Sequence, residues 1–141
     1  MYIDQTGKFP HRSIRGNRYQ VILQEIDCKS TWIEPMKNKT EGGMILSWHR
    51  SLERMKEQGI LPTHQLMDNE ISTAYVLEIK ETSMTYQIVH PYDHHHNMAE
   101  KSIQTWKNHF LGLVSGTEES LPAHLRCQSI PQAEQQLLLL I

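Results

Sequence analysis

Short runs in which apolar and β-branched residues alternate with polar ones predict five β-strands in this chain. We expect these strands at residues 1–5, 19–26, 31–34, 64–67 and 85–89. Pro35 and Pro91 follow the third and fifth runs. Because proline cannot donate to a strand ladder, we expect each of these two strands to end before its proline.

Further along, apolar residues recur at spacings of three and four, which is the pattern of helices that bury one face. We expect helices at residues 40–59, 71–81 and 98–114, and a last one that begins at 120–122. Thr40 and Asn97 are suitable N-caps for the first and third of these helices, and Gly59 is a suitable C-cap.

The predicted order of elements is β β β α β α β α α, which is typical of an α/β fold. We expect a three-layer arrangement in which helices flank a mixed five-stranded sheet. The first three strands would be antiparallel, and the later ones parallel through helical crossovers. Trp48, Trp106 and Phe110 lie on apolar helical stripes. We therefore expect all three in the core and not on a surface that stacks nucleic-acid bases.

A length of 141 residues suits one domain, residues 1–141, with a substantial core. The longest apolar run, residues 137–141, is far shorter than the roughly 20 residues of a membrane span. No signal peptide is visible. Cys28 and Cys127 are too few for a disulfide framework, so we expect reduced thiols and an intracellular protein without membrane contact.

The formal net charge of −2 argues against a protein that grips nucleic acid by bulk electrostatics, because such domains are usually strongly basic. Bound divalent cations would cancel part of this charge, and flanking segments could supply further DNA contacts.

Three acidic residues carry the chemical interest, although each has an ordinary structural interpretation. Asp4 and Asp68 end predicted strands, where aspartate commonly forms turns. Glu100 lies three residues after Asn97, as in a variant of the capping box. Together, in this order of strands and helices, the three carboxylates match what a two-metal polynucleotidyl transferase requires.

Four segments carry a resemblance to a known family. They are Tyr2-Ile3-Asp4-Gln5-Thr6-Gly7, Trp32-Ile33-Glu34-Pro35, Leu66-Met67-Asp68-Asn69-Glu70, and Asn97-Met98-Ala99-Glu100 leading into Lys107-Asn108-His109-Phe110. Nearly the whole chain resembles the catalytic core of retroelement integrases, especially those of copia-type LTR retrotransposons. The resemblance implies a ribonuclease H-like fold. It also implies that Asp4, Asp68 and Glu100 form the catalytic DDE triad.

The chain departs from the family in three respects. Asp68 and Glu100 are 100 − 68 = 32 positions apart, a few fewer than is usual in the family. Glu70 stands where the family commonly has glycine. Nothing resembles the family's N-terminal zinc-binding module or its C-terminal DNA-binding region. We therefore interpret the chain as an isolated core, either a fragment or a decayed copy.

The implied chemistry is the cleavage and transfer of DNA strands with two Mg²⁺ or Mn²⁺ ions, which hold the attacking and leaving oxygens. Magnesium prefers hard oxygen ligands, so a few carboxylates suffice. In the family pattern, Asp4 bridges the two ions, Asp68 binds one and Glu100 binds the other. Without metal the three carboxylates would repel one another.

Residues around Glu100 are candidates for DNA contact. Gln104 and Lys107 follow it by four and seven positions and share its helix face. His96 and Asn97 precede it and would border the scissile phosphate. Lys107 could equally be ordinary solvated surface, and Asn97 could simply be an N-cap.

Two further groups of polar residues have other interpretations, and the first, a run of histidines, would gain charge below pH ~6.5 and then attract phosphate. The three histidines at 94–96 are expected on a loop, and their spacing does not favour zinc. Asp27 and Glu34 are expected in turn and surface roles.

Three functions remain open at this point. The first is DNA integration, meaning 3′-end processing and strand transfer of a transposable element. Its partners would be element ends and target DNA, and the enzyme would be a homo-oligomer. It would act in the nucleus if the source is eukaryotic. The second is a decayed remnant that serves only as a folded interaction or dimerisation domain. The third is a ribonuclease H or other nuclease on the same fold.

Overall fold

Five strands form a mixed sheet in the computed structural model, which describes residues 1–9, 12–90, 94–116, 120 and 122–139, without the side chains of 94–99, 123, 126 and 127. The strands are β1 (Tyr2–Gln5), β2 (Tyr19–Gln24), β3 (Thr31–Met36), β4 (His64–Asp68) and β5 (Thr85–Val89). Their order across the sheet is β3-β2-β1-β4-β5. β1, β2 and β3 pair antiparallel, while β4 is parallel to both β1 and β5. The predicted strand number and directions are therefore confirmed.

Within the described residues, four α-helices cover the two faces of the sheet. They are α1 (Glu41–Glu57), α2 (Thr73–Glu81), α3 (His94–Ser115) and α4 (Ile130–Leu139), the last preceded by a 3-10 helix, Ala123–Ser129. α1 and α2 pack on one face, and α3 and α4 pack on the other. The predicted three-layer arrangement is confirmed.

Strand alternation sends successive side chains into two separate cores. Met1 and Ile3 of the first strand region lie in the core beneath α1 and α2, together with Trp48. On the opposite face, Trp106 and Phe110 of α3 stack against each other, with ring centroids 5.2 Å apart. As expected, Trp48, Trp106 and Phe110 are all buried.

The N-cap of α1 is Thr40, as predicted, whereas its C-cap lies one residue before the predicted Gly59. The Thr40 hydroxyl accepts a hydrogen bond from the backbone N–H of Gly43 at 3.2 Å. At the other end Gln58 is the C-cap, and Gly59, with φ of 76°, takes the left-handed conformation one residue later.

Pro35 does not end its strand, contrary to the prediction, because β3 continues to Met36. The proline pairs with Gln20 in the antiparallel ladder. β3 is an edge strand, and a proline whose nitrogen faces away from the sheet costs an edge strand no ladder bond.

The predicted starts of the last two α-helices were wrong. α3 begins at His94, so 94–96 belong to the helix and not to a loop, and Asn97 lies inside the helix and is not its N-cap. No glycine or proline interrupts residues 92–111, so nothing in the sequence stops the helix from extending by another turn. The last α-helix begins at Ile130, with Pro131 in its first turn.

In the part of the chain that the structure describes, none of the helices combines the length and the apolar character needed to cross a membrane.

Candidate active site

Strand alternation aims Asp4 towards the α3 side of the sheet. Tyr2, two residues earlier, is buried on that side with Leu66 and Val89. Asp4 is half-buried, and its Oδ1 accepts a hydrogen bond from the backbone N–H of Gln5 at 2.7 Å. The carboxylate is therefore held at the end of β1, on the same face as α3.

Asp68 occupies the equivalent position on the neighbouring strand. β1 and β4 are parallel, with Tyr2 opposite Leu66. Asp4 and Asp68 each lie two residues further along, so both are near the same end of these two neighbouring parallel strands. The Oδ1 of Asp68 also accepts a hydrogen bond from the backbone N–H of Glu70 at 3.0 Å. The turn-forming role considered for Asp68 is thus present.

α3 positions Glu100 by burying the opposite side of the helix. Trp106 is fully buried, and its indole Nε1–H donates to the Gln20 side-chain oxygen of β2 at 2.7 Å. One turn earlier, the Ser102 hydroxyl donates to the Gln24 side chain, also on β2. These two bonds fix the rotation of α3 about its axis, and so they fix the direction of its exposed flank.

A groove of about 400 Å³ lies between that flank and the end of β1. Its lining residues are Asp4, Gln5, Glu100, Ile103, Gln104, Lys107, Asn108 and Leu111. The structure therefore brings together four of the candidate residues, namely Asp4, Glu100, Gln104 and Lys107.

The remaining candidates are placed differently. Asp68 ends the strand beside β1, but it does not line the groove. The side chains of His96 and Asn97 are outside the described part of the chain. Among the side chains that are described, no three from His, Cys, Asp and Glu are grouped so that they could hold a metal ion. The acidic donors suit magnesium chemically, since all three are hard oxygen ligands.

Four groove residues were not anticipated from the sequence. Gln5 follows Asp4 directly, and Ile103, Asn108 and Leu111 are on α3. Asn108 and Leu111 each lie four positions after a predicted contact, so extending the helical spacing of Gln104 and Lys107 by another turn would have found them. Leu111 is 56% exposed and gives the groove an apolar end.

Glu34 lies in a buried charge cluster and not in a surface role, contrary to the prediction. It is only 8% exposed, and its Oε1 accepts a hydrogen bond from Arg54 of α1 at 2.8 Å. The same guanidinium donates to both carboxylate oxygens of Glu134 in α4, each at 2.8 Å. It also stacks 5.2 Å from the ring centre of Trp32. Asp27 is exposed, as expected.

Burial is the main influence on Glu134, and it raises the pKa of this carboxyl above its ordinary value even though Arg54 acts in the opposite direction. We call Arg54, Glu34 and Glu134 the edge clasp, because they join the helices on both faces of the sheet across edge strand β3.

A second cavity, of about 430 Å³, lies between α1 and the segments that precede β4 and β5. His49 and Lys56 line it together with Ile60, Leu61 and Met84. None of the candidate site residues is among its lining residues.

No protein-family model matches this chain, and no curated protein matches it. Several solved structures do match it in fold. The HTLV-2 integrase catalytic core domain in complex with magnesium, in a trimeric form, superposes with a TM-score of 0.70 at 14% identity, over 96% of this chain and 82% of that one. The catalytic core domain of BIV integrase superposes with a TM-score of 0.65 at 13% identity, over 98% of this chain and 79% of that one.

A chain of the simian T-cell lymphotropic virus intasome, solved in complex with PP2A regulatory subunit B56 gamma, gives a TM-score of 0.67 at 16% identity. The match covers 97% of this chain and 45% of that one, so this protein spans less than half of its length. At these identities the comparisons establish the fold. The fold is ribonuclease H-like, and it is the fold of retroviral integrase catalytic cores.

Proposed function

We propose that this chain is the catalytic core of a DNA integrase, a polynucleotidyl transferase that processes 3′ ends of element DNA and transfers them into target DNA. The observation that carries the proposal is the groove in which Asp4 and Glu100, from elements distant in the sequence, meet Gln104 and Lys107. Carboxylates beside a lysine and an amide suit a phosphodiester and the divalent metal that its cleavage requires.

Asp4, Asp68 and Glu100 would hold two Mg²⁺ or Mn²⁺ ions once their carboxylates, which are not grouped into a metal site in the described part of the chain, move together. Bound there, the metal would stabilise the attacking and leaving oxygens of an in-line displacement. The parallel pairing of β1 with β4, which places Asp4 and Asp68 near the same end of neighbouring strands, supports this assignment. So does the HTLV-2 core, which was solved in complex with magnesium.

The other groove residues would bind and orient the DNA. Lys107, half-buried along the groove, would neutralise one phosphate, while the Gln104 amide would hydrogen-bond to the backbone or to a base edge. His96 and Asn97, one turn before Glu100, would border the scissile phosphate.

The segments around the three acidic residues favour a source in a copia-type retrotransposon. Integration would take place in the nucleus of a eukaryotic host, with element ends and target DNA as partners. The HTLV-2 core in trimeric form and the viral intasome support an oligomeric enzyme.

A decayed remnant is the second candidate, and two observations favour it. The formal charge is −2, and the Asp68 carboxylate accepts a hydrogen bond from its own turn. In that case the domain would retain its fold as an interaction module and would not cleave DNA.

A cleavage assay separates the two candidates. The chain is incubated with a short labelled duplex that has exposed 3′ ends and with Mn²⁺, and nicked and joined products are resolved on a gel. We expect weak nicking or joining that Glu100→Gln abolishes, because an amide cannot supply the metal with a charged ligand. Glu57→Gln, exposed on α1, is the matched control and should leave the products unchanged.

Absence of metal-dependent products from the wild-type chain at any salt concentration would contradict the enzyme proposal and favour the remnant. Equal loss in both variants would point to damage to the fold and not to the site.

A further inference from the structure

The two edges of the sheet differ in their protection. Edge strand β3 carries Pro35 and is covered by the edge clasp. Edge strand β5 has the sequence Thr-Tyr-Gln-Ile-Val at residues 85–89, without charge and without proline. Ile88 is 45% exposed, and Thr85 and Gln87 are exposed as well. An uncharged edge strand that lacks such protection is a template for pairing with another strand.

The backbone of β5 shows which groups are free to pair. The N–H of Thr85 donates to the carbonyl of Thr63 at 3.0 Å, so this residue directs its backbone towards β4. Backbone groups alternate sides along a strand, so Tyr86 and Ile88 direct theirs away from the sheet. No neighbouring strand lies on that side in the described part of the chain.

We propose that β5 is a homodimerisation edge, at which it pairs antiparallel with β5 of a second copy about a two-fold axis through Gln87. This register sets Tyr86 opposite Ile88 of the other copy, twice, and sets the two Gln87 side chains opposite each other. Because Tyr86 and Ile88 direct their backbone groups outward, the pairing makes four backbone hydrogen bonds and joins two five-stranded sheets into one of ten.

The side chains also fit a second copy of this strand. Aromatic and β-branched residues opposite each other are favourable cross-strand pairs, and each Tyr86 would meet an Ile88. The two Gln87 amides can hydrogen-bond to each other. No like charges within the strand pair face each other, since the strand itself carries none, and the Lys80 ammonium of α2 lies 5.8 Å from the centre of the Tyr86 ring. A strand that complements itself in this way fits a second copy of the same chain.

A single strand pair buries less than the roughly 1,200 Å² of a stable interface, so the dimer is weak. The average molar mass must therefore be measured at protein concentrations from about 10 µM to 1 mM. The test is sedimentation equilibrium of the wild-type chain over that range, without DNA or added metal. Its outcome is therefore independent of the cleavage assay. We expect a rising average mass that approaches that of a dimer.

Charge substitution at Gln87 makes the test specific to this register. Gln87→Lys would set two ammonium groups opposite each other, with Cβ atoms about 4.5–5.5 Å apart, and Gln87→Glu would do the same with two carboxylates. Each variant alone should associate at least tenfold more weakly than wild type. An equimolar mixture of the two should recover the dimer. Gln87→Thr, which is uncharged, is the control and should associate like the wild type.

Gln87 is exposed, so these changes should leave the fold intact, which circular dichroism would verify. A wild-type chain that stays monomeric throughout would overturn the proposal. So would a Gln87→Lys variant that dimerises normally, or a mixture that stays monomeric. A monomer whose Tyr86 and Ile88 amides exchange slowly would show that another segment of the same chain covers the edge.

Discussion

Lys107 is the cation through which the groove would bind DNA under the proposed function. It lies seven positions after Glu100, two turns along the same flank of α3, and it lines the groove with Gln104. Ordinary solvated surface was the competing interpretation of this residue. Its place beside Asp4 and Glu100 favours a phosphate contact.

Lys107→Ala should weaken DNA binding to a similar extent for every sequence, because a lysine that contacts phosphate carries no base information. The slope of log K against log salt should fall by about one unit, the amount expected for one neutralised phosphate. Fluorescence anisotropy with a labelled duplex at several salt concentrations would measure both effects. Lys101→Ala, exposed on α3 outside the groove, is the control. An identical change in both variants would show that only the total charge matters.

At the residue scale, the sequence predicted the groove better than it predicted the charge cluster. Glu100, Gln104 and Lys107 share one helix, so their common face follows from helical spacing. Glu34 of β3 contacts Arg54, which is 20 positions away, and shares that arginine with Glu134, which is 80 positions beyond Arg54. No periodic pattern connects residues so distant, so the sequence alone indicates a surface position for an isolated glutamate beside a proline.

Among the elements, α1, β3 and α4 depend on one another through the edge clasp. Arg54 of α1 is the only cation in this group and contacts a carboxylate from each of the other two elements. Its guanidinium compensates the negative charges of Glu34 and Glu134, which are both buried. Removal of the arginine should therefore loosen all three elements together.

Arg54→Ala should lower the free energy of unfolding by about 2–4 kcal/mol, because it leaves two buried carboxylates without compensation. We expect the lower part of this range because the Arg54 side chain is itself 38% exposed, so solvent screens its ion pairs with Glu34 and Glu134. Urea denaturation followed by tryptophan fluorescence would measure the loss. Arg50→Ala, exposed one turn earlier on α1, should change stability by less than about 0.5 kcal/mol.

Element types were predictable from the sequence, whereas some of their boundaries were not. The five strands and their directions follow from alternation and order. The end of β3 depends on its position at the sheet edge, where Pro35 does no harm, and position within a sheet is not encoded locally. The start of α3 likewise lacks a local signal, because histidine and asparagine neither stop a helix nor favour one strongly.

At the scale of the whole molecule, metal binding should appear as added stability. A ligand that binds the folded chain and not the unfolded one stabilises it by about 2.7 kcal/mol at 100 times its Kd. Saturating Mg²⁺ or Mn²⁺ should therefore raise the Tm of the wild-type chain in a thermal melt. Asp4→Asn should remove most of this response and should slightly stabilise the metal-free form, because it relieves carboxylate repulsion.

Asp27→Asn, a change of the same kind at an exposed position, should leave the metal response intact. A melting curve that neither metal shifts would count against the two-metal assignment of Asp4, Asp68 and Glu100.

The groove is assembled from two parts of the sequence that are far apart, and this has a consequence for the newly made chain. Asp4 and Glu100 are 100 − 4 = 96 positions apart. Synthesis proceeds from the N-terminus at about 5–20 residues per second, so β1 leaves the ribosome several seconds before α3 exists. During that interval the sheet lacks the helix that forms the other wall of the groove. A nascent chain therefore cannot engage nucleic acid through this groove until its second half has been translated and has docked.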